Sequence, residues 1–315
     1  MKALNIANDA LGNRARLDSQ YARDGYLFFR GVLDLEAVAA VRRTWLDILA
    51  GMGVIAPGSE VPIWNGADLS NFPFKVVPIE TSGSWQRFVR TPSIDGFFRA
   101  ALGEAPWWVP ITEHRVVPPG ADDGADPFVY RHQDGYSNRG IDFRVCWIPL
   151  VDIDARSGGL AVAEGWHTRG IMHEAVGNPP AIAPATIPDD AWRRSDYHPG
   201  DVLMFSLTTP HSGMRNRSDR FRLSMDLRVL PASAHRPIIG DVVAVRPEAI
   251  TIRDDETGSE VVLGLDARSF VRGHLGVEMT LDEVPEKIRP GEHVIAAWEG
   301  GRAVMIRPHR GHGAL

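Results

Sequence analysis

The chain has 315 residues, 44% apolar and 23% charged, enough for one large globular domain or a main domain with a smaller companion. A net charge of −6 offers no basic surface for nucleic acid, and the single cysteine, Cys146, excludes a disulfide framework and a cysteine-built zinc site. Residues 1–16 lack the continuous apolar stretch of a signal peptide and no segment is long enough to span a bilayer, so a cytoplasmic protein away from the membrane is expected.

In chain order, Gly25–Phe29 reads as a short strand. Asp34 is a natural N-cap for a helix over Leu35–Ala50, where Val38, Val41, Trp45 and Ile48 recur at helical spacing and Gly51 is the expected stop. Residues 56–85 carry Pro, Gly, Ser, Asn, Trp64 and Trp85 and read as a long irregular excursion of the kind used for lids and binding loops. Ile94–Leu102 is a second expected helix, ending at Gly103. From Trp107 to Leu230 the texture turns to short β-type runs: Trp107–Thr112, Phe128–Tyr130, Phe143–Val151, Gly159–Val162, Val202–Phe205 and Phe221–Val229. Helices ahead of antiparallel strands indicate an α+β fold with a sandwich or barrel core. Residues 231–237 read as a linker. It divides an expected main domain, 1–237, from a small β-rich appendage, 238–315, with strands at Asp241–Val245, Ala249–Arg253, Glu260–Leu263, Val294–Trp298 and Arg302–Ile306 and a hairpin turn at Gly300–Gly301.

Eleven histidines occur, and one begins a His-x-Asp triplet, Arg131-His132-Gln133-Asp134. Along a strand, residues i and i+2 point to the same side, so His132 and Asp134 can converge on one ion. A second element, Pro210-His211-Ser212-Gly213, follows the turn and apolar strand Pro199–Phe205. Two imidazoles and one carboxylate leave three coordination positions open, which suits non-haem Fe(II) binding a bidentate co-substrate together with O2. Arg222 stands eleven residues after His211 across a turn, able to lie on the adjacent strand. A guanidinium buried beside a metal needs an anion, and the far end of a chelating dicarboxylate supplies one.

These segments resemble the phytanoyl-CoA dioxygenase family of Fe(II)/2-oxoglutarate oxygenases, from about Tyr21 to Arg228. Tyr21–Leu33 is similar to the family's opening and Tyr130-Arg-His-Gln-Asp-Gly135 to its first metal motif. Cys146–Asp154, Ser157–Leu160 and Glu164–His167 resemble its middle strands, and His198–Phe205 with His211, Asn216, Ser218 and Arg222 its closing motif. The resemblance implies a double-stranded β-helix core of jelly-roll, cupin-like type. It implies iron on His132, Asp134 and His211, and a 2-oxoglutarate carboxylate on Arg222 with Ser224 assisting. It also implies O2 consumption, release of succinate and CO2, and oxidation, hydroxylation first, of an unactivated C–H bond in a small-molecule substrate. Asp134 fills the position a halide would need, which speaks against halogenation. Two departures stand out: the family's Pro-Gly-Ser-His is here Glu164-Gly-Trp-His167, setting an indole near the expected pocket rim, and the appendage has no counterpart.

Other residues are weaker candidates. His167 suits a role beside the site or a structural one equally. Glu113 and His114 can face the pocket or away from it. Tyr136, Trp64 and Trp147 suit substrate packing or core. Arg139 and Arg144 read as surface residues and Cys146 as a small buried one. Two rival readings remain at this stage: a cupin-like metalloenzyme that does not use 2-oxoglutarate, and a non-catalytic binding protein that keeps the fold. The appendage is expected to shape the active-site entrance or an oligomer interface, a homodimer included, rather than to supply a metal ligand.

Overall fold

The structure, a computed structural model, describes residues 1–120, 129–174, 180–273 and 278–309. The chain divides into two compact units. One comprises Met1–Gln133 and Phe143–Ala232; the other comprises Asp134–Asp142 with the described residues from Ser233 onward. No described helix is long and apolar enough to cross a membrane.

The first unit begins with α1 (Arg14–Asp24), β1 (Tyr26–Phe29) and α2 (Leu35–Gly51), then the short helices α3 (Val77–Glu80) and α4 (Ser84–Val89), and α5 (Pro92–Leu102). Asn13 caps α1 by accepting from the Arg16 amide, and Gly25, at φ 80°, ends it in the left-handed conformation that glycine adopts without cost. The Asp34 carboxylate accepts from the Glu36 and Ala37 amides at the start of α2, as its sequence position anticipates. Val38, Val41 and Trp45 are buried as expected, and Ile48 is half-buried, with Leu46 and Leu49 completing the stripe. Gly51 does not stop the helix. It closes the last turn, and the positive φ falls at Gly53. Residues 56–85 are irregular up to α3 and α4.

The strands of this unit among the described residues are β1 above, β2 (Pro106–Val117), β3 (Arg144–Pro149), β4 (Gly159–Ala163), β5 (Trp192–Arg193), β6 (Val202–Ser206), β7 (His211–Met214) and β8 (Arg222–Pro231). They form a five-stranded sheet ordered β1-β6-β3-β8-β2 and a three-stranded sheet ordered β5-β4-β7, the two walls of a double-stranded β-helix. The expected run Phe128–Tyr130 is no strand: Phe128 lies outside the described residues, and Val129 and Tyr130 join no ladder. Among the described residues there, the chain pairs through one bridge, His132 opposite His211.

The helices cover one face of the larger sheet. His114 on β2 meets Trp45 of α2 edge to face at 5.3 Å, and Trp108 meets Phe98 of α5 at 4.7 Å. The other face of β8 turns to the smaller sheet, because Arg222 reaches carbonyls at the start of β4 and the end of β7.

The second unit holds β9 (Ile238–Arg246), β10 (Ala249–Asp254), β11 (Glu260–Gly264), β12 (Phe270–Arg272), β13 (Glu278–Met279), α6 (Val284–Lys287), β14 (His293–Glu299) and β15 (Arg302–Pro308). They form one sheet, ordered β11-β10-β9-β14-β15-β12-β13, and a parallel pairing of Gly264 with Arg302 ties β11 back to β15, closing a five-stranded ring. Its core is Val242, Ile250, Ile252, Val294, Ala296 and Ile306 with their neighbours. Gly300 and Gly301 both take positive φ between Glu299 and Arg302, the hairpin turn their pairing in sequence predicts.

Gly158 holds the two walls at close approach. At φ 91°, a Cβ there would sit 2.4 Å from the Met214 carbonyl oxygen and 2.5 Å from that of Arg215. Gly158→Ala is therefore expected to destabilise the protein by about 1–3 kcal/mol from backbone strain alone, before the clash is counted. Urea unfolding of the two proteins measures this; equal midpoints would remove Gly158 from the account.

Candidate metal centre

Among the described residues, one group of metal-capable side chains comes together: His132, Asp134 and His211, with their ligand atoms all within 4.8 Å of one another. The backbone sets this up. His132 and His211 face each other as a hydrogen-bonded antiparallel pair, each amide donating to the other's carbonyl at 2.9 Å, and their ring centroids lie 4.0 Å apart. Each ring is held the same way. His132 Nδ1 donates to the Tyr130 carbonyl at 3.2 Å, and His211 Nδ1 donates to the Thr209 carbonyl at 3.0 Å. A carbonyl can only accept, so both Nδ1 atoms carry the proton and both Nε2 atoms keep a lone pair for a metal.

Packing locks the rings further. Tyr130 stacks on His132 at 4.1 Å and 18°, and Phe205 lies 4.7 Å from His211. The residue between the first two candidate ligands, Gln133, points the opposite way and is buried. Its Nε2 donates to the Gly170 and Thr208 carbonyls, its Oε1 accepts from the Met172 amide, and its own amide donates to His173 Nε2 at 2.7 Å. His173 Nδ1 donates to the Pro180 carbonyl, which fixes the acceptor role of its Nε2. The sequence singles out neither Gln133 nor His173; the central place of Gln133 in the triplet was the available signal, and His173 had none.

Arg222 opens β8 and is buried, with Nη1 donating to the carbonyls of Ser157 (3.3 Å), Gly159 (3.3 Å) and Met214 (2.5 Å). The spacing from His211 to Arg222 is fixed by Asn216, whose Nδ2 donates to the carbonyls of Val117, Pro118 and Arg220 while its Oδ1 accepts from the Ser218 amide and hydroxyl. Ser224 shares the face of Arg222 two residues on. Its buried Oγ has no hydrogen-bond partner among the described residues, an arrangement that calls for a ligand.

Further along that face, Asp226 stands opposite Glu113 of β2 and Trp147 of β3, and Arg115 opposite Ser224. Arg115 Nε donates to Asp226 at 3.1 Å, and Lys75 pairs with Glu113 at 3.2 Å. Burial works against the Glu113 charge, but Arg115, Lys75 and Arg228 together outweigh it and hold its carboxyl down at about 2. Burial raises Asp226 against the pull of Arg115 and Arg228.

The weaker candidates sort clearly. Glu113 shares the Asp226 face, whereas His114 is on the helix side. His167 packs its ring over Gly25 at the end of α1, and burial lowers its pKa. Glu164, the departure ahead of it, pairs with Arg193 at 2.8 Å and accepts from the Tyr26 hydroxyl. Trp166 stacks with Arg169, Trp147 is buried against Tyr197, and Trp64 is exposed. Arg139 and Arg144 are half-buried rather than surface residues, laid over the rings of Phe270 and Tyr21. Tyr136 lies in the second unit near Phe270, and Cys146 is fully buried.

The donor set fits Fe(II): two neutral imidazoles and a carboxylate without thiolate. The buried Arg222 and the unpartnered Ser224 hydroxyl fit a dicarboxylate co-substrate. Comparison with known proteins agrees. The phytanoyl-CoA dioxygenase (PhyH) family profile matches residues 21–224. The chain is 32% identical over 249 residues to 1-deoxypentalenic acid 11-beta-hydroxylase of Streptomyces arenae, covering 72% of this chain and 84% of that protein, and equally identical over 245 residues to the enzyme of the same name from Streptomyces exfoliatus. Among solved structures, EvdO2 from Micromonospora carbonacea var. aurantiaca, complexed with 2-oxoglutarate, superposes with a TM-score of 0.52 at 17% identity, over 75% of this chain and 95% of that one, a likeness of fold. The chain belongs to the phytanoyl-CoA dioxygenase family and is a 2-oxoglutarate-dependent non-haem iron oxygenase.

Proposed function

We propose that this enzyme hydroxylates an unactivated C–H bond of a small-molecule metabolite, using iron held by His132, Asp134 and His211 and 2-oxoglutarate anchored by Arg222 and Ser224. The observation that carries the reading is the convergence of two Nδ1-protonated histidines and one aspartate, with a buried arginine on the strand that follows. The hydroxylase names of the relatives support hydroxylation over desaturation or ring formation. We place the enzyme in the cytoplasm, acting on neither nucleic acid nor membrane, in keeping with its net charge of −6.

Iron with 2-oxoglutarate and O2 supplies the oxidant: one oxygen atom enters the C–H bond as hydroxyl, the other enters succinate, and CO2 leaves. His132 and His211 present Nε2, and Asp134 supplies the single negative charge that offsets part of the metal's. Arg222 would pair with the distal carboxylate of 2-oxoglutarate, and Ser224 Oγ would donate to the same end. Phe205 packs against the His211 ring and helps to hold it in place.

His132→Ala, Asp134→Ala and His211→Ala are each expected to abolish succinate formation while the circular dichroism spectrum stays that of the parent. Wild-type anaerobic Fe(II) affinity in all three would sink the ligand assignment. For Arg222→Ala, an anion left without its buried partner costs about 3–5 kcal/mol. At about 1.4 kcal/mol per decade, the 2-oxoglutarate requirement rises roughly two to three and a half decades while iron still binds. Arg222→Lys regains only part, because a point charge lacks the fork. An unchanged 2-oxoglutarate dependence in Arg222→Ala would place the co-substrate elsewhere.

A further inference from the structure

The loop that follows the metal motif does not cluster with the strands around it in sequence. Asp134–Asp142 belongs to the compact unit formed by the residues from Ser233 onward. Four contacts build it there. Arg307 of β15 donates from Nη1 to Asn138 Oδ1 at 2.6 Å. Asn138, buried, donates from Nδ2 to the carbonyl oxygen of Asp134 at 2.9 Å. Arg139 lays its guanidinium over the ring of Phe270 of β12 at 4.0 Å. Gly140, at φ 78°, sits so close to β14 and β15 that a Cβ would stand 2.9 Å from Val304 Cγ1 and 3.0 Å from Ala297 Cβ.

The Asp134 carbonyl also accepts from the Ser137 amide at 3.2 Å, closing the tight turn Asp134–Tyr136. The backbone carrying the carboxylate is thus fixed from its C-terminal side by a two-step path, Arg307 to Asn138 to Asp134. His132 and His211 are fixed by their own main-chain pair. The short carboxylate side chain of Asp134 transmits any shift of its backbone directly to a metal.

We propose that Arg307, acting through Asn138, is a positioning residue for the metal-binding carboxylate of Asp134, and that bracing this loop is a function of the C-terminal β-unit. The inference rests on the ligand assignment above. Asn138 is the coupling element because its amide does both jobs: the oxygen accepts a hydrogen bond from Arg307 and the nitrogen donates one to the Asp134 carbonyl.

The test uses the full-length protein. Metal affinity is read by anaerobic Fe(II) titration and coordination geometry by the visible ligand-field spectrum of Co(II), with thermal unfolding of the metal-free protein as control. Arg307→Met and Asn138→Asp are each expected to weaken Fe(II) binding by about 10–100-fold, the usual effect of removing a residue that orients a ligand, and to alter the Co(II) spectrum. Asn138→Asp is the sharper variant, because it keeps a partner for Arg307 but loses the donor to Asp134. Arg307→Lys should recover part of the affinity, since an ammonium can still donate to Asn138. The double variant Arg307→Met/Asn138→Asp should be no weaker than the worse single variant, as expected for two links of one path. Variants that lower the unfolding temperature yet bind Fe(II) normally with a parental Co(II) spectrum would overturn the proposal. His211→Ala is the control for the assignment beneath it: parental metal affinity in that variant would overturn the ligand set itself, whatever Arg307 does.

Discussion

The site depends first on the main-chain pairing of His132 with His211. It is a single bridge rather than a ladder, yet its two 2.9 Å hydrogen bonds bring two imidazoles side by side, their centroids 4.0 Å apart and their planes inclined at 52°. Everything else at the centre refines that pair. The Tyr130 and Thr209 carbonyls choose the tautomer, and Tyr130 and Phe205 choose the ring planes. Gln133 pins the intervening backbone with four hydrogen bonds, so the alternation that sends Gln133 inward as an anchor sends its neighbours His132 and Asp134 to the other side.

The second constraint is the face of β8 turned toward the smaller sheet. Arg222, Ser224, Asp226 and Arg228 alternate along it, and the facing strand adds Arg115 and Glu113. Burying this many charges is tolerable only because they are paired and hydrogen-bonded: Arg115 to Asp226, Lys75 to Glu113, and Arg228 to the Ile111 carbonyl. A single strand thus runs from the proposed co-substrate anchor into a charged network shared by β2 and β8.

What could be read from the sequence was what is local. His132 and Asp134 are two residues apart, and the turn from His211 to Arg222 is closed by Asn216 and Ser218 within its own length, so spacing carries the geometry. The helix at Leu35–Gly51 and most strands likewise announce themselves by period. Helix α1 did not, because Leu17 is the sole apolar residue it buries and no stripe forms. Strands β12 and β13, three and two residues long, are too short for alternation to register. Arg115, Asp226 and Arg228 gave no sign of burial in the sequence, since only the neighbouring strand brings Arg115 to Asp226. The link from Arg307 to Asn138 spans 169 residues and matches no pattern that a sequence displays.

The most direct test is a crystal structure of the protein grown with Mn(II), as a redox-quiet stand-in for iron, and 2-oxoglutarate. The account predicts one metal bound by His132 Nε2, His211 Nε2 and an Asp134 carboxylate oxygen, with 2-oxoglutarate chelating it and its distal carboxylate on Arg222 beside Ser224. Metal held by other residues, or 2-oxoglutarate bound away from Arg222, would contradict it.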